Sequence, residues 1–176
     1  MNGITGNRHR GMTLIEVLVA LLVLGIGVMG YAALQLNAVR MSEDTYSRSQ
    51  AMAIAQDLIE RMRANQSASS FYRTAAAWSN PGNPANYPCY AAADAANLTP
   101  CAPAAMAVAD IQLVSKTTRE MLPNGSVLVN ACNGAASLTC VTVAWDQTAA
   151  AQCNQTQIVD DNRGQNASCV VVEFIP

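Results

Sequence analysis

The chain is expected to fold as an α+β protein, with a long N-terminal helix whose first half spans a membrane, packed on a small antiparallel sheet with disulfide-stapled loops. Three observations carry this. An apolar run near the N-terminus passes without a proline into an amphipathic one, the C-terminal third alternates apolar and polar residues, and all six cysteines lie from Cys89 onward.

Residues 17–34 are eighteen consecutive positions without a charged or strongly polar side chain. At ~1.5 Å rise per residue, about twenty such residues cross a hydrocarbon core of ~30 Å. Glu16 stands at the edge of this run. A carboxylate there is costly in lipid, so it points to function and calls for a cationic partner. Cleavage after Gly11 would supply one, because the new amino group of Met12 would sit one helical turn from Glu16. Arg8 and Arg10 precede the apolar run, while Glu43 and Asp44 follow it near Arg40. That bias puts the N-terminus in the cytoplasm and the bulk of the chain outside. Since the apolar run follows the cut, cleavage leaves the anchor on the mature protein, unlike a secretory signal.

The helical pattern continues beyond the membrane. Residues 35–65 contain no proline or glycine, and Ala51, Ile54, Ala55, Leu58, Ile59 and Met62 form one stripe at 100° per residue. Asp44 with Arg48 and Asp57 with Arg61 have the spacing of supporting ion pairs. One helix over about residues 13–65 is the reading, packed through Ile54, Leu58 and Met62 against the sheet. Gly25, Gly27 and Gly30 interrupt its membrane half, which suits either local bending or close packing of helices.

After Asn65 the pattern dissolves into a segment rich in Ala, Ser, Asn and Pro, with Trp78, Tyr87 and Tyr90 as anchors to the core or as a contact surface, packing being the role such side chains more often take. Residues 104–122 read as a second helix with Val108, Ile111, Val114, Met121 and Leu122 on one arc, and with Asp110 early and Lys116 and Arg119 late as the macrodipole prefers. Pro123-Asn124-Gly125 ends it. Strands follow at Val127, Val129 and Ala131, at Val141, Val143 and Trp145, and at Val170, Val172 and Phe174, with a hairpin at Asn133-Gly134. The expected division is a leader at 1–11, a membrane half-helix at 12–36, an amphipathic half-helix at 37–65 and an extracytoplasmic domain at 66–176.

Six cysteines confined to the outer part read as a disulfide framework. The sequence alone does not choose the connectivity. The shortest closures pair Cys89 with Cys101, Cys132 with Cys140, and Cys153 with Cys169, the middle pair flanking the hairpin. A metal site is not expected, because no Cys-x-x-Cys pair occurs and the single histidine, His9, lies in the leader. Asp160-Asp161-Asn162-Arg163 clusters oxygen ligands, but without the spacing of a calcium loop and with an opposing arginine. It reads as a solvated loop. Without a histidine past the leader no Ser-His-Asp or Cys-His system can be built, so no enzyme activity and no cofactor are expected. Removal of residues 1–11 leaves eight Lys and Arg against twelve acids, a net charge of −4. A nucleic-acid partner is not expected from such a balance.

The run Gly11-Met12-Thr13-Leu14-Ile15-Glu16-Val17-Leu18-Val19-Ala20, behind a short basic leader, resembles the N-terminal signature of type IV pilins and type II secretion pseudopilins. Where that family most often has Phe after the cut, this chain has Met12. Leu122-Pro123-Asn124-Gly125, the strand after it and Val141-Thr142-Val143-Ala144-Trp145 resemble more narrowly the minor pilins of the PilV, or type IV pilus modification, kind. The resemblance implies cleavage after Gly11 by a prepilin peptidase, N-methylation of Met12, and Glu16 as the subunit-docking residue. The function it implies is that of a minor pilin, incorporated in the filament at or near the tip and helping to start assembly. Implied partners are other minor pilins, the major pilin, the inner-membrane assembly machinery, and lipid before assembly. The implied location is the inner membrane, then the surface pilus. A membrane-anchored adhesin-like module and a minor pseudopilin of type II secretion are the alternatives.

Overall fold

The structure, a computed structural model, describes residues 12–82, 89, 100–133, 135–153 and 168–175. It consists of α1 (Leu14–Ala64), a 3₁₀ turn at Gln66–Ala68, α2 (Ser69–Tyr72), α3 (Ala75–Ser79), α4 (Pro103–Met121), β1 (Ser126–Cys132), β2 (Ala135–Ala144), a 3₁₀ turn at Ala150–Gln152 and β3 (Cys169–Phe174). The chain divides into two compact units between Glu43 and Asp44, within α1.

In the first unit α1 is apolar on every side over residues 17–34. Its side chains are exposed all round, and it is the one helix among the described residues long and apolar enough to cross a membrane. A helix without a polar face has no surface to give to water, which is the signature of a membrane span.

In the second unit α1 becomes one-sided. Ala51, Ile54, Ala55, Leu58, Ile59 and Met62 are its buried residues, and they join Val127, Val129, Val141, Val143 and Phe174 in one core. The exposed flank carries the ion pairs Asp44–Arg48 at 2.9 Å and Asp57–Arg61 at 2.8 Å. α1 stops at Asn65, whose backbone N–H donates to the carbonyls of Arg61 and Met62. Its side-chain amide then donates to the carbonyl of Pro103, 2.8 Å away.

The three strands form an antiparallel sheet in the order β1-β2-β3. Val127 faces Val143 and Val129 faces Val141 across the first ladder, and Val141 faces Val172 and Val143 faces Val170 across the second. These valines line the core face, since alternate side chains share one side of a strand. The pattern fails at Ala131. Ala131 keeps the register, opposite Thr139, yet is exposed, and Cys132, beyond a register shift, is buried. Trp145 lies one residue beyond β2 instead of within it, yet is buried, with the Arg48 guanidinium 5.7 Å from its ring centroid. On the outer face of the sheet the 3₁₀ turn is held by the N–H of Ala150 donating to Ser126 Oγ at 3.0 Å.

Two expectations for α4 are corrected. Met121 is exposed and Val108 half-buried, while Ala107, Asp110 and Thr118 take the buried positions. Asp110 is in the second turn and is spent on tertiary contacts, so the helix dipole does not account for it. The segment after Asn65 also holds more order than its composition suggests, because α2 and α3 fold there and place Tyr72 and Trp78 in the core. Tyr87 and Tyr90 lie outside the described residues.

The turn after α4 imposes a glycine. Asn124 has φ 52°, and Gly125 then passes so close to α4 that an added Cβ would overlap the carbonyl oxygen of Thr118. That oxygen already accepts the N–H of Leu122 at 2.9 Å. Gly125→Ala is therefore expected to cost about 2 kcal/mol through overpacking against backbone that cannot yield. Denaturant unfolding checks it, and a midpoint shift worth less than about 0.5 kcal/mol would show that the turn relaxes freely.

Candidate functional site

The first turn of α1 presents the candidate site. Met12 and Thr13 lead into the helix, and the Glu16 N–H donates to the Thr13 carbonyl at 3.0 Å. Thr13 and Glu16 have the three-residue separation of a capping box, and an acid in the first turn also suits the positive end of the helix. α1 begins at Leu14, and Glu16 falls in its first turn beside Leu14 and Ile15, which are 79% and 69% exposed. One carboxylate emerges from an otherwise apolar surface.

Gly11, the residue before the expected cut, lies outside the described residues, as do Arg8, Arg10 and the Asp160-Asp161 loop. Met12 is exposed. The expected N-terminus of the mature protein is Met12, since cleavage at that bond alone leaves an amine one helical turn from Glu16. N-terminal sequencing of membrane-purified protein tests this; an intact Met1 or a start beyond Leu14 would remove the basis for pairing that amine with Glu16.

The cysteines form three disulfides. Cys89 is bonded to Cys101, Cys132 to Cys140 and Cys153 to Cys169, with Cα separations of 5.8, 5.1 and 6.4 Å. Glu173 approaches the middle pair closely enough for the three residues to resemble a metal cluster. Both sulfurs are consumed by the disulfide, so no thiolate is present to bind an ion.

A polar cluster that periodicity gave no sign of fastens the helices of the second unit together. Arg61 Nη1 lies 3.1 Å from Asp110 Oδ1, and the Tyr72 hydroxyl donates to Asp110 Oδ2. Asn65 Nδ2 donates to that hydroxyl at 3.2 Å, while Trp78 Nε1 donates to the Tyr72 carbonyl at 2.7 Å. Asp110 is a buried carboxylate held by a guanidinium and a phenol, as burial of a charge requires. The available signal was a lone aspartate within the apolar arc of α4.

A long helix, apolar and exposed at its start apart from one first-turn carboxylate, joined to a small disulfide-bonded α+β body, defines the class of prepilin-like membrane-anchored subunits. The prokaryotic N-terminal methylation motif matches residues 6–32, and the Tt1218-like family, type IV pilin Tt1218, matches residues 33–112. No curated protein and no solved structure matches the chain. The two models together cover residues 6–112, and they support a type IV pilin family for the chain.

Proposed function

We propose that the protein is a minor pilin of the PilV kind, which enters a type IV pilus at or near the tip and helps to start its assembly. The observation that carries this is Glu16 in the first turn of an exposed apolar helix. In lipid or in a filament core its charge is stable only against a positive group, and the methylated amine of Met12 on a neighbouring subunit is such a group. The apolar surface is equally at home in lipid and among helices, so it sets no register. The charge pair supplies the register.

In this reading prepilin peptidase cuts after Gly11. The subunit waits in the inner membrane with its N-terminus cytoplasmic and its body periplasmic, and the assembly machinery passes it to the other minor pilins and the major pilin. It catalyses no reaction. A deletion strain scored for surface pili and twitching tests the proposal, with loss or a sharp fall of piliation expected. Normal piliation with a defect in adherence alone would favour an adhesin-like module on a pilin anchor.

A further inference from the structure

The three disulfides are consecutive. Each joins a cysteine to the next one along the chain, Cys89 to Cys101, Cys132 to Cys140 and Cys153 to Cys169, with separations of 12, 8 and 16 residues. No cysteine is left free. Loop entropy does not select this set. Cys140 and Cys153 are 13 positions apart, closer than the bonded Cys153 and Cys169, and loops of those two lengths differ by only about 1.4-fold in their chance of closing. Local structure does not select it either. Only the middle pair is carried at both ends by paired strands, β1 and β2, whereas Cys89, Cys101 and Cys153 stand in no helix or strand.

We propose that the pairing is set by order of emergence: a dithiol oxidase on the outer side of the membrane joins each cysteine to the one delivered just before it, and no disulfide isomerase is needed. Of all the ways to pair six cysteines, one alone results from such joining, and it is the one observed. At roughly 5–20 residues per second, the 31 positions from Cys101 to Cys132 separate the first pair from the second by about 2–6 s. The closest competition is between Cys140 and Cys153, which follows it by about 1–3 s at the same rate. A hairpin forms in about 10 μs, so by then β1 and β2 have brought Cys140 to Cys132. Oxidation within seconds is faster than uncatalysed disulfide exchange, which names the class of partner: a protein disulfide poised to accept electrons. The Cys89 thiolate attacks that disulfide, forming a mixed disulfide and releasing one oxidase thiol. The Cys101 thiolate then displaces the second oxidase sulfur, so the chain is oxidised by two electrons and the oxidase leaves as a dithiol. The same exchange serves the other two pairs.

Delivery of the second unit to the outer side, N-terminus first, rests on the function proposed above. The test uses the full-length chain, pulse-labelled in cells lacking disulfide isomerase, with thiols trapped by alkylation and linked peptides identified by mass spectrometry. The three consecutive links are expected at the yield of cells that keep the isomerase, and about tenfold lower in cells lacking the dithiol oxidase. Cys101→Ser is the decisive variant, and its covalent readout does not require a folded product. With no partner for Cys89, a Cys89–Cys132 link should appear, and Cys140–Cys153 with it. Pairing directed by the finished fold would instead leave Cys132–Cys140 and Cys153–Cys169 at the wild-type level with Cys89 free, and would overturn the proposal. Crossed links in the wild-type chain without isomerase would overturn it as well, as would undiminished pairing without the oxidase. Six reduced thiols in unmodified cells would overturn the outer location together with it. Consecutive pairing in a chain absent from sheared pili supports the pairing order and removes only the filament role.

Discussion

Glu16→Ala is expected to leave the protein processed and in the membrane while removing it from pili. Cleavage after Gly11 should persist because the glycine is intact, and loss of a charge from the edge of an apolar helix favours insertion or leaves it unchanged. Filament entry should nevertheless fall by about a hundredfold, since removing one member of a buried charge pair leaves the other uncompensated. The two effects have opposite signs. A plain anchor would tolerate or welcome the change, so comparison of membrane and sheared-pilus fractions separates the two cases. Recovery of the variant in pili at the wild-type level would show that Glu16 is not the docking group. Glu16→Gln sharpens the result, because it keeps the shape of the side chain and removes only the charge.

Arg61→Ala should be the most damaging change on the exposed side of α1 within the second unit. It strips the guanidinium from Asp110, whose side chain is 4% exposed, whereas Arg61 itself is 28% exposed and partly screened by water. Breaking a buried pair costs 3 kcal/mol or more, and the partial exposure brings the expected loss to about 2–3 kcal/mol. Asp57→Ala removes the other carboxylate on Arg61, 55% exposed, and should cost no more than about 0.5 kcal/mol. Unfolding of the full-length protein in detergent, followed through Trp78 next to the cluster, measures both. Equal losses would mean that the Asp110 contact contributes no more than a surface pair. A cycle pairing Arg61→Ala with Asp110→Ala should show coupling of about 1 kcal/mol or more.

Much of the fold was legible because two periodicities dominate this chain. The six-residue stripe of α1 is the buried set observed, and the helix spans Leu14–Ala64 against an expected 13–65. The valine alternation located all three strands. What escaped has a common cause. Trp145 and Asp110 are positions where a strand end or a tertiary charge partner overrides the local period, and neither of those is encoded within a few residues. α2 and α3 were lost in alanine and proline because their order comes from burying Tyr72 and Trp78, a nonlocal gain. Gly11, Met12 and Glu16 were read from a local motif, a reading that needs no fold. The Arg61, Tyr72 and Asp110 cluster joins residues up to 49 apart and was not.

The exposed apolar surface of the first unit has a thermodynamic consequence for any filament it enters. Before assembly those side chains, among them Leu18, Leu22 and Ile26, lie in lipid tails; afterwards they would lie among neighbouring helices, and both surroundings are hydrocarbon. Transfer between two oils expels no water, so the hydrophobic effect that drives most association is nearly silent here. The partition coefficient is then set by small terms: shape fit around Gly25, Gly27 and Gly30, each of which faces open space, and one electrostatic contact at Glu16. A filament held together on such a narrow margin is expected to dissolve back into its membrane reservoir when that margin is disturbed, which would make subunit addition reversible.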